Sequence, residues 1–283
     1  MAWRCQGWGA GVMMRALDTP PFLVTVLRMN PSVDLTDELV ERYRKITSAT
    51  AYSGTWQLAP PGGQEWFASA NYQLCLMRGV KQMTPGKKMV GRARTLRFVP
   101  SRPDLLKITR RGGDSPEYRA MARCGPGDVL VVEAHTFDEY ACILGNMKTR
   151  MLWHQQAEGL VTDGAIRDLQ MISDDYGLSV FAANRSPAGN LPFLEAYEEN
   201  EPVNVGGVLV LPGDMIVADD DGVVVVPADC AEEVINWIEE QEEAEEWVIR
   251  LIDEERVPPG TYYPISAETK ERFRAWKREQ GEK

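Results

Sequence analysis

Arg167 and Asp168 stand side by side at the end of the run Val161-Thr162-Asp163-Gly164-Ala165-Ile166. A guanidinium can clamp a carboxylate or an enolate oxygen through two parallel hydrogen bonds. The neighbouring carboxylate can hold a hard divalent cation. A second polar cluster, Gly145-Asn146-Met147-Lys148, lies upstream, where a strand or loop meets a helix. Free backbone amides at a helix N-terminus attract anions. Both clusters also have a purely structural explanation. Asp168 can cap a helix with Arg167 as its ion-pair partner, and Asn146 is a good N-cap residue. Spacing alone leaves these alternatives open.

Other chemistry-bearing residues are less persuasive. Asp219-Asp220-Asp221-Gly222 is like part of a calcium loop but lacks the remaining spaced ligands and the closing Glu, so a hairpin turn is expected. Five cysteines (Cys5, Cys75, Cys124, Cys142 and Cys230) are too scattered for a zinc motif, and reduced, mostly buried thiols are expected. A nucleophilic Cys or Ser needs a base. Only His135 and His154 are available, both expected to be structural, and no Gly-x-Ser-x-Gly elbow occurs.

The elements that must position these residues follow from periodicity. Asp34 to Arg44 reads as a helix, with Thr36 as its cap and Leu35, Leu39, Val40 and Tyr43 at helical spacing. Small and hydroxyl residues fill Ile46 to Trp56, and Ala59-Pro60-Pro61-Gly62-Gly63 marks a loop. Lys88 to Pro100 alternates as a half-buried strand with Arg92, Arg94 and Arg97 interleaved. Ser101 to Ser115 reads as a polar connection and Pro116 to Ala122 as a short helix. Pro-Gly-Asp occurs at 126–128 and again at 212–214, each launching an apolar strand. The second strand returns through Asp220-Asp221-Gly222 into Val223 to Val226, a hairpin. Between the copies we expect a helix over Asn146 to Glu158 and a short strand from Gly159, broken at the turn dipeptide Asp163-Gly164. A helix over Leu169 to Tyr176 and a strand over Ser179 to Ala183 follow. This alternation indicates an α/β layered domain. No Gly-x-Gly-x-x-Gly follows a strand, which disfavours a dinucleotide fold. Ala231 to Glu255 is a long acidic helix with one apolar stripe, and Ser266 to Gln280 a last charged helix anchored by Phe273 and Trp276.

We therefore expect an irregular arm over 1–33, an α/β domain over 34–230, and a C-terminal helical extension over 231–283 that contacts neighbouring subunits. The arm, or an extension preceding a start at Met14 or Met29, has no signal-peptide pattern, so a cytoplasmic protein is expected. No apolar run is long enough to span a membrane. The net charge of −11 argues against a nucleic-acid partner held on a broad basic surface. The basic cluster between Lys87 and Arg111 reads as a solvated strand face and loop, or as a local anion or subunit contact.

Several segments in a fixed order resemble the RraA-like family: Gly145-Asn146-Met147, Gly159 through Asp168, Pro202 through Val208, Pro212-Gly213-Asp214, and Asp219 through Pro227. The family includes 4-hydroxy-4-methyl-2-oxoglutarate aldolases, which also decarboxylate oxaloacetate, and regulators of ribonuclease E activity. The resemblance covers roughly Asp34 to Val234 and is specific over Gly145 to Pro227. It implies a compact β/β/α swivelling-domain fold, assembled as a homotrimer or homohexamer with sites at subunit boundaries. It further implies that Arg167 stabilises an enolate, that Asp168 anchors Mg²⁺ or Mn²⁺ largely through waters, and that the amides around Met147 and Lys148, after Gly145, bind a pyruvyl carboxylate. The substrate would be a small 2-oxo acid, cleaved by a retro-aldol step or decarboxylated. Two positions depart from the family pattern. Asn146 stands where an acidic residue is usual, and Ser53 where an Asp is usual. These departures, with Lys148 close by, leave room for a non-catalytic regulator or for another enolate-forming enzyme such as a hydratase.

Overall fold

The computed structural model describes residues 35–57, 74–134 and 140–281. The sequence expectations for the N-terminal arm, the Pro-Gly loop after Trp56, and His135 lie outside these residues. Eleven strands are seen among them: β1 (Lys81–Gln82), β2 (Met89–Pro100), β3 (Asp128–Glu133), β4 (Cys142–Leu144), β5 (Gly159–Ile166), β6 (Ser179–Arg185), β7 (Leu194–Glu199), β8 (Val203–Val205), β9 (Val208–Val210), β10 (Met215–Asp219) and β11 (Gly222–Val226). The helices are α1 (Asp37–Tyr43), α2 (Ser48–Gln57), α3 (Leu106–Thr109), α4 (Pro116–Ala122), α5 (Asn146–His154), α6 (Leu169–Met171, continuing as a π turn to Tyr176), α7 (Ala231–Glu255) and α8 (Ala267–Gly281).

Nine strands form one sheet in the order β1-β6-β5-β3-β2-β10-β11, with β4 beside β5 and β7 beside β2. Its centre, β2-β3-β5-β6, is parallel, and the flanking pairs are antiparallel. The segment before β1 nearly closes the sheet into a barrel. Met77 donates to the Val223 carbonyl and Val225 to that of Cys75, while Met83 donates to Val180 on the opposite edge.

Strand alternation sorts the side chains into separate cores, because successive residues face opposite sides of a sheet. Val129, Val131, Ile216, Ala218, Val223 and Val225 point inward, around Phe181 and Val161. Leu130 and Val132 pack outward with Leu152 and Met121, under α4 and α5. Met215, Val217, Val224 and Val226 pack outward on the other side, under α1 and α7. Burial on both faces explains why these strands read as continuous valine runs.

The two Pro-Gly-Asp turns repeat one device. Asp128 accepts the Gly125 amide at 3.0 Å and Asp214 accepts the Leu211 amide at 2.8 Å. Gly127 and Gly213, at φ 78° and 95°, occupy the left-handed turn position that favours glycine. The copies differ in charge balance. Asp128 is paired with Arg92 and Arg94, whereas burial pushes Asp214 up to about 6.

One sequence expectation is overturned. Asp163-Gly164 is not a turn, since β5 continues through it to Ile166 with all eight residues buried. The pairing register shifts between Thr162 and Ala165. There β5 changes neighbour, from β3 to β4. Asp163 makes the exchange possible by accepting the Ala134 amide at 2.7 Å just past the end of β3. A bulge uses the same Asp-Gly chemistry as a turn. The 101–115 connection holds α3, and Ser48 to Gln57 is helical.

The arginines of the basic cluster are paired within the chain. Arg97 pairs with Glu133 and Glu198, Arg110 with Glu195, and Arg111 with Asp114. The acidic face of α7 is likewise paired in part. Glu239 holds Arg42 of α1, and Glu240 holds Lys270 and Arg274 of α8. The anchors Phe273 and Trp276 pack on Trp247 of α7 in a small satellite core. No helix among the described residues is long and apolar enough to cross a membrane.

Candidate active site

β4 and β5 are parallel and end on the same side of the sheet, the side where ligand sites form in parallel α/β sheets. Gly145 follows β4 and Arg167 follows β5, so the topology brings the two sequence clusters together. The Arg167 amide donates to the Leu144 carbonyl at 3.2 Å, extending the pairing into the site.

Asp168 has φ 59° and ψ 30°, a left-handed conformation uncommon outside glycine. Its side chain does not cap its own helix. Instead Oδ2 accepts the Asn146 amide at 2.9 Å, capping α5 from a neighbouring strand end. Arg167 Nε lies 3.6 Å from the same oxygen, and Arg167 Nη1 donates to the Pro187 carbonyl at 3.3 Å. Both side chains remain nearly half exposed, at 45% and 42%. Gly145 permits this approach. A Cβ there would lie 2.7 Å from Asp168 Oδ2 and 2.9 Å from Arg167 Nε.

The first turn of α5 is largely committed. The Lys148 and Thr149 amides both donate to the Gly145 carbonyl. The Met147 amide has no acceptor among the described residues, and the Met147 side chain is 78% exposed. That amide is the open donor beside the Arg167–Asp168 pair. The Lys148 side chain turns away. Nζ lies 2.6 Å from Glu117 Oε2, 3.1 Å from the Ile143 carbonyl and 5.8 Å from the Phe98 ring centre. A half-buried ammonium needs such partners, so Lys148 ties α5 to α4 rather than adding charge to the site.

Asn146 has a partner that sequence reasoning missed. Tyr176, thirty residues on, donates its hydroxyl to Asn146 Oδ1. Tyr176 stacks on Trp153 with ring centres 5.5 Å apart, and both line an open groove with Lys87, His154 and Glu158. Local periodicity gave no sign of this, because the π turn that ends in Tyr176 looks like ordinary helix.

A metal fits only in a limited way. Among the described residues no group of three or more His, Cys, Asp and Glu is placed to bind one. That excludes a zinc-type cage there. Asp168 with solvent access suits Mg²⁺ or Mn²⁺, hard cations that keep several waters and need one or two carboxylates. The Asp219 carboxylate is spent on the Ser48 amide at 2.7 Å, on its hydroxyl and on the Asp221 amide, as a hairpin requires. Ser53 donates to the Ala49 carbonyl within α2. Cys75, Cys124, Cys142 and Cys230 are buried and unpaired with each other. Burial pushes Cys75 up to about 11 and Cys124 and Cys230 up to about 12, so none is a ready thiolate.

Residues 38–225 match a family model described as RraA-like, Aldolase/RraA. A Thermus thermophilus protein named 4-hydroxy-4-methyl-2-oxoglutarate aldolase is 29% identical over 141 residues, half of this chain and 76% of the relative. A Halalkalibacterium halodurans protein provisionally given the same name is 31% identical over 162 residues, 55% of this chain and 68% of the relative. The fold is similar to the crystal structure of Streptomyces coelicolor RraAS2, described as an unusual member of the RNase ES inhibitor RraA protein family. That comparison has a TM-score of 0.62 and 31% identity, covering 75% of this chain and 96% of the other.

Proposed function

The chain belongs to the RraA-like family, and from that premise we propose that it is a Mg²⁺- or Mn²⁺-dependent lyase. In this proposal it breaks a carbon–carbon bond beside the keto group of a small 2-oxo acid. The observation that supports this most is the meeting of Arg167, Asp168 and the open Met147 amide at the ends of two parallel strands. The relatives named as aldolases point to the same chemistry.

In oxaloacetate the bond to the distal carboxylate breaks, carbon dioxide leaves, and the electron pair moves onto the keto oxygen as an enolate. A proton then returns to carbon to give pyruvate. In a retro-aldol substrate the 4-hydroxyl gives up its proton to water as the C3–C4 bond breaks, and the departing fragment leaves as a carbonyl compound. Either way negative charge grows on one oxygen. Arg167 meets that charge with a guanidinium, an effect strongest where donors are fixed beforehand. Its bond to the Pro187 carbonyl and its neighbour Asp168 fix its direction. The Met147 amide, at the positive end of α5, holds the substrate carboxylate. Asp168 would hold the cation, which when bound supplies Lewis-acid polarisation of the 2-oxo acid. We further propose that the working form is a homotrimer or homohexamer with this half-exposed site at a subunit boundary, and that it acts in the cytoplasm.

The test is pyruvate release from oxaloacetate and from branched 4-hydroxy-2-oxo acids with Mg²⁺ or Mn²⁺. Arg167→Ala is expected to lower kcat by about 10²–10³-fold, as removal of one oxyanion donor does. No metal-dependent turnover on any of these acids would refute the proposal. The other reading is a regulator of a ribonuclease E-type enzyme that keeps an idle pocket. It is favoured by Asn146 at a position usually acidic and by the likeness to RraAS2. Inhibition of such a ribonuclease by the purified chain, without lyase activity, would establish it.

A further inference from the structure

Tyr176 holds the one site residue of the strand-end cluster that departs from the family pattern. Three contacts define the arrangement. The Tyr176 hydroxyl donates to Asn146 Oδ1. The Tyr176 ring stacks on Trp153 at an interplanar angle of 28°. The Asn146 backbone amide is tied to Asp168 Oδ2 at 2.9 Å. The π turn Ile172–Tyr176, closed by Gly177 at φ 64°, sets the ring in place. Such widened turns recur at functional positions.

A carboxamide has one acceptor end and one donor end. With Oδ1 occupied by a hydroxyl donor, the free end is the NH₂ group, for which no acceptor occurs among the described residues. A carboxylate at this position would offer only acceptors and would stand as a second negative charge near Asp168. We propose that Tyr176 is a positioning residue that fixes Asn146 as a hydrogen-bond donor to an anionic substrate oxygen. The site then sets three donors, the Arg167 guanidinium, the Met147 amide and the Asn146 carboxamide, against the single charge of Asp168. The inference rests on the lyase proposal for the identity of the site and adds the polarity with which the site reads its ligand.

Binding of oxalate, a flat dianion shaped like the pyruvate enolate, tests this on the full chain with Mg²⁺ by titration calorimetry. Turnover of oxaloacetate is measured in parallel. Asn146→Asp is expected to weaken oxalate binding by roughly tenfold or more, equivalent to about 1.4 kcal/mol. Tyr176→Phe keeps the stacked ring and should leave the melting temperature unchanged. It should weaken oxalate roughly three- to tenfold and raise KM by the same factor, with kcat within about twofold. Unchanged or tighter oxalate binding by Asn146→Asp would overturn the inference. So would a Tyr176→Phe variant whose KM and oxalate affinity match the parent, or a parent chain that binds no oxalate. Oxalate binding with the expected variant pattern but no turnover would uphold the inference and remove the lyase proposal instead.

Discussion

Gly145 is the residue on which the site geometry turns. A methyl group there would lie 2.7 Å from Asp168 Oδ2 and 2.9 Å from Arg167 Cγ. Both obstacles are side-chain atoms in a half-exposed place, so the pair can swing away without unfolding the chain. Gly145→Ala is therefore expected to keep its melting temperature within a few degrees yet lose most turnover, because a small misplacement of catalytic groups is costly. A loss of folding with no specific loss of activity per folded molecule would contradict this. Asp214 gives a prediction of a different kind. Its value of about 6 lies above the ordinary carboxylate value of 3.8, because burial disfavours its charge. The neutral form is thus favoured by folding. The stability it contributes is complete below pH 4 and is lost as pH rises through 6, by at most about 3 kcal/mol. Asp214→Asn should start less stable at low pH, having one acceptor fewer for the Leu211 and Ala228 amides. It should then show a flatter stability curve between pH 4 and 7 in urea titrations. An equally steep curve would show that Asp214 is not the titrating group. At this scale the sequence exposed Arg167, Asp168 and Gly145 but not Tyr176, since a hydrogen bond across thirty residues leaves no trace in local spacing.

The elements divide in the same way. The repeated Pro-Gly-Asp turns, the hairpin of β10 and β11, and α1 with its Thr36 cap were legible, because each depends on residues within a few positions. β5 was only half legible. Its Asp163-Gly164 bulge looks like a turn until β3 and β4 are both present to pair with the two halves. β4, β7, β8 and β9 escaped notice because three-residue strands and an acidic strand lack an alternating signature. The α7–α8 pair gives an element-scale test. Phe273 is buried against Trp247 and Trp276, and Arg274 with Lys270 holds Glu240 down to about 2. Phe273→Ala should cost about 3–5 kcal/mol in the cohesion of this helical hairpin. Faster amide exchange confined to α7 and α8, with the barrel core unaffected, is the expected result. The ionic clamp acts above the ordinary Glu range and is lost as pH falls through 4.5 toward 2. Uniform destabilisation of the barrel by Phe273→Ala would show instead that the hairpin and the barrel unfold as one unit.

For the whole molecule, the acidic balance is spent partly inside. Arginines of β2 and of the connection after it meet carboxylates of β3 and β7, so part of the acidity behind the net charge of −11 is paired within the chain. The nearly closed sheet fixes two parallel strand ends side by side, and that single arrangement joins residues 145 and 168 into one place. The α/β class was legible from the alternation of helices with valine-rich strands, whereas closure was not, since it depends on residues 75–83 bridging β11 and β6. The proposed metal-assisted lyase site is tested most directly by pyruvate release from oxaloacetate by the full chain, with Mg²⁺ or Mn²⁺ and then with excess chelator, beside Arg167→Ala and Asp168→Ala. Turnover by the parent chain is expected to stop on chelation. Arg167→Ala should fall by about 10²–10³-fold, and Asp168→Ala should show a weakened metal requirement curve. Equal rates in the parent, the variants and the chelated sample would rule out a metal-assisted lyase site here.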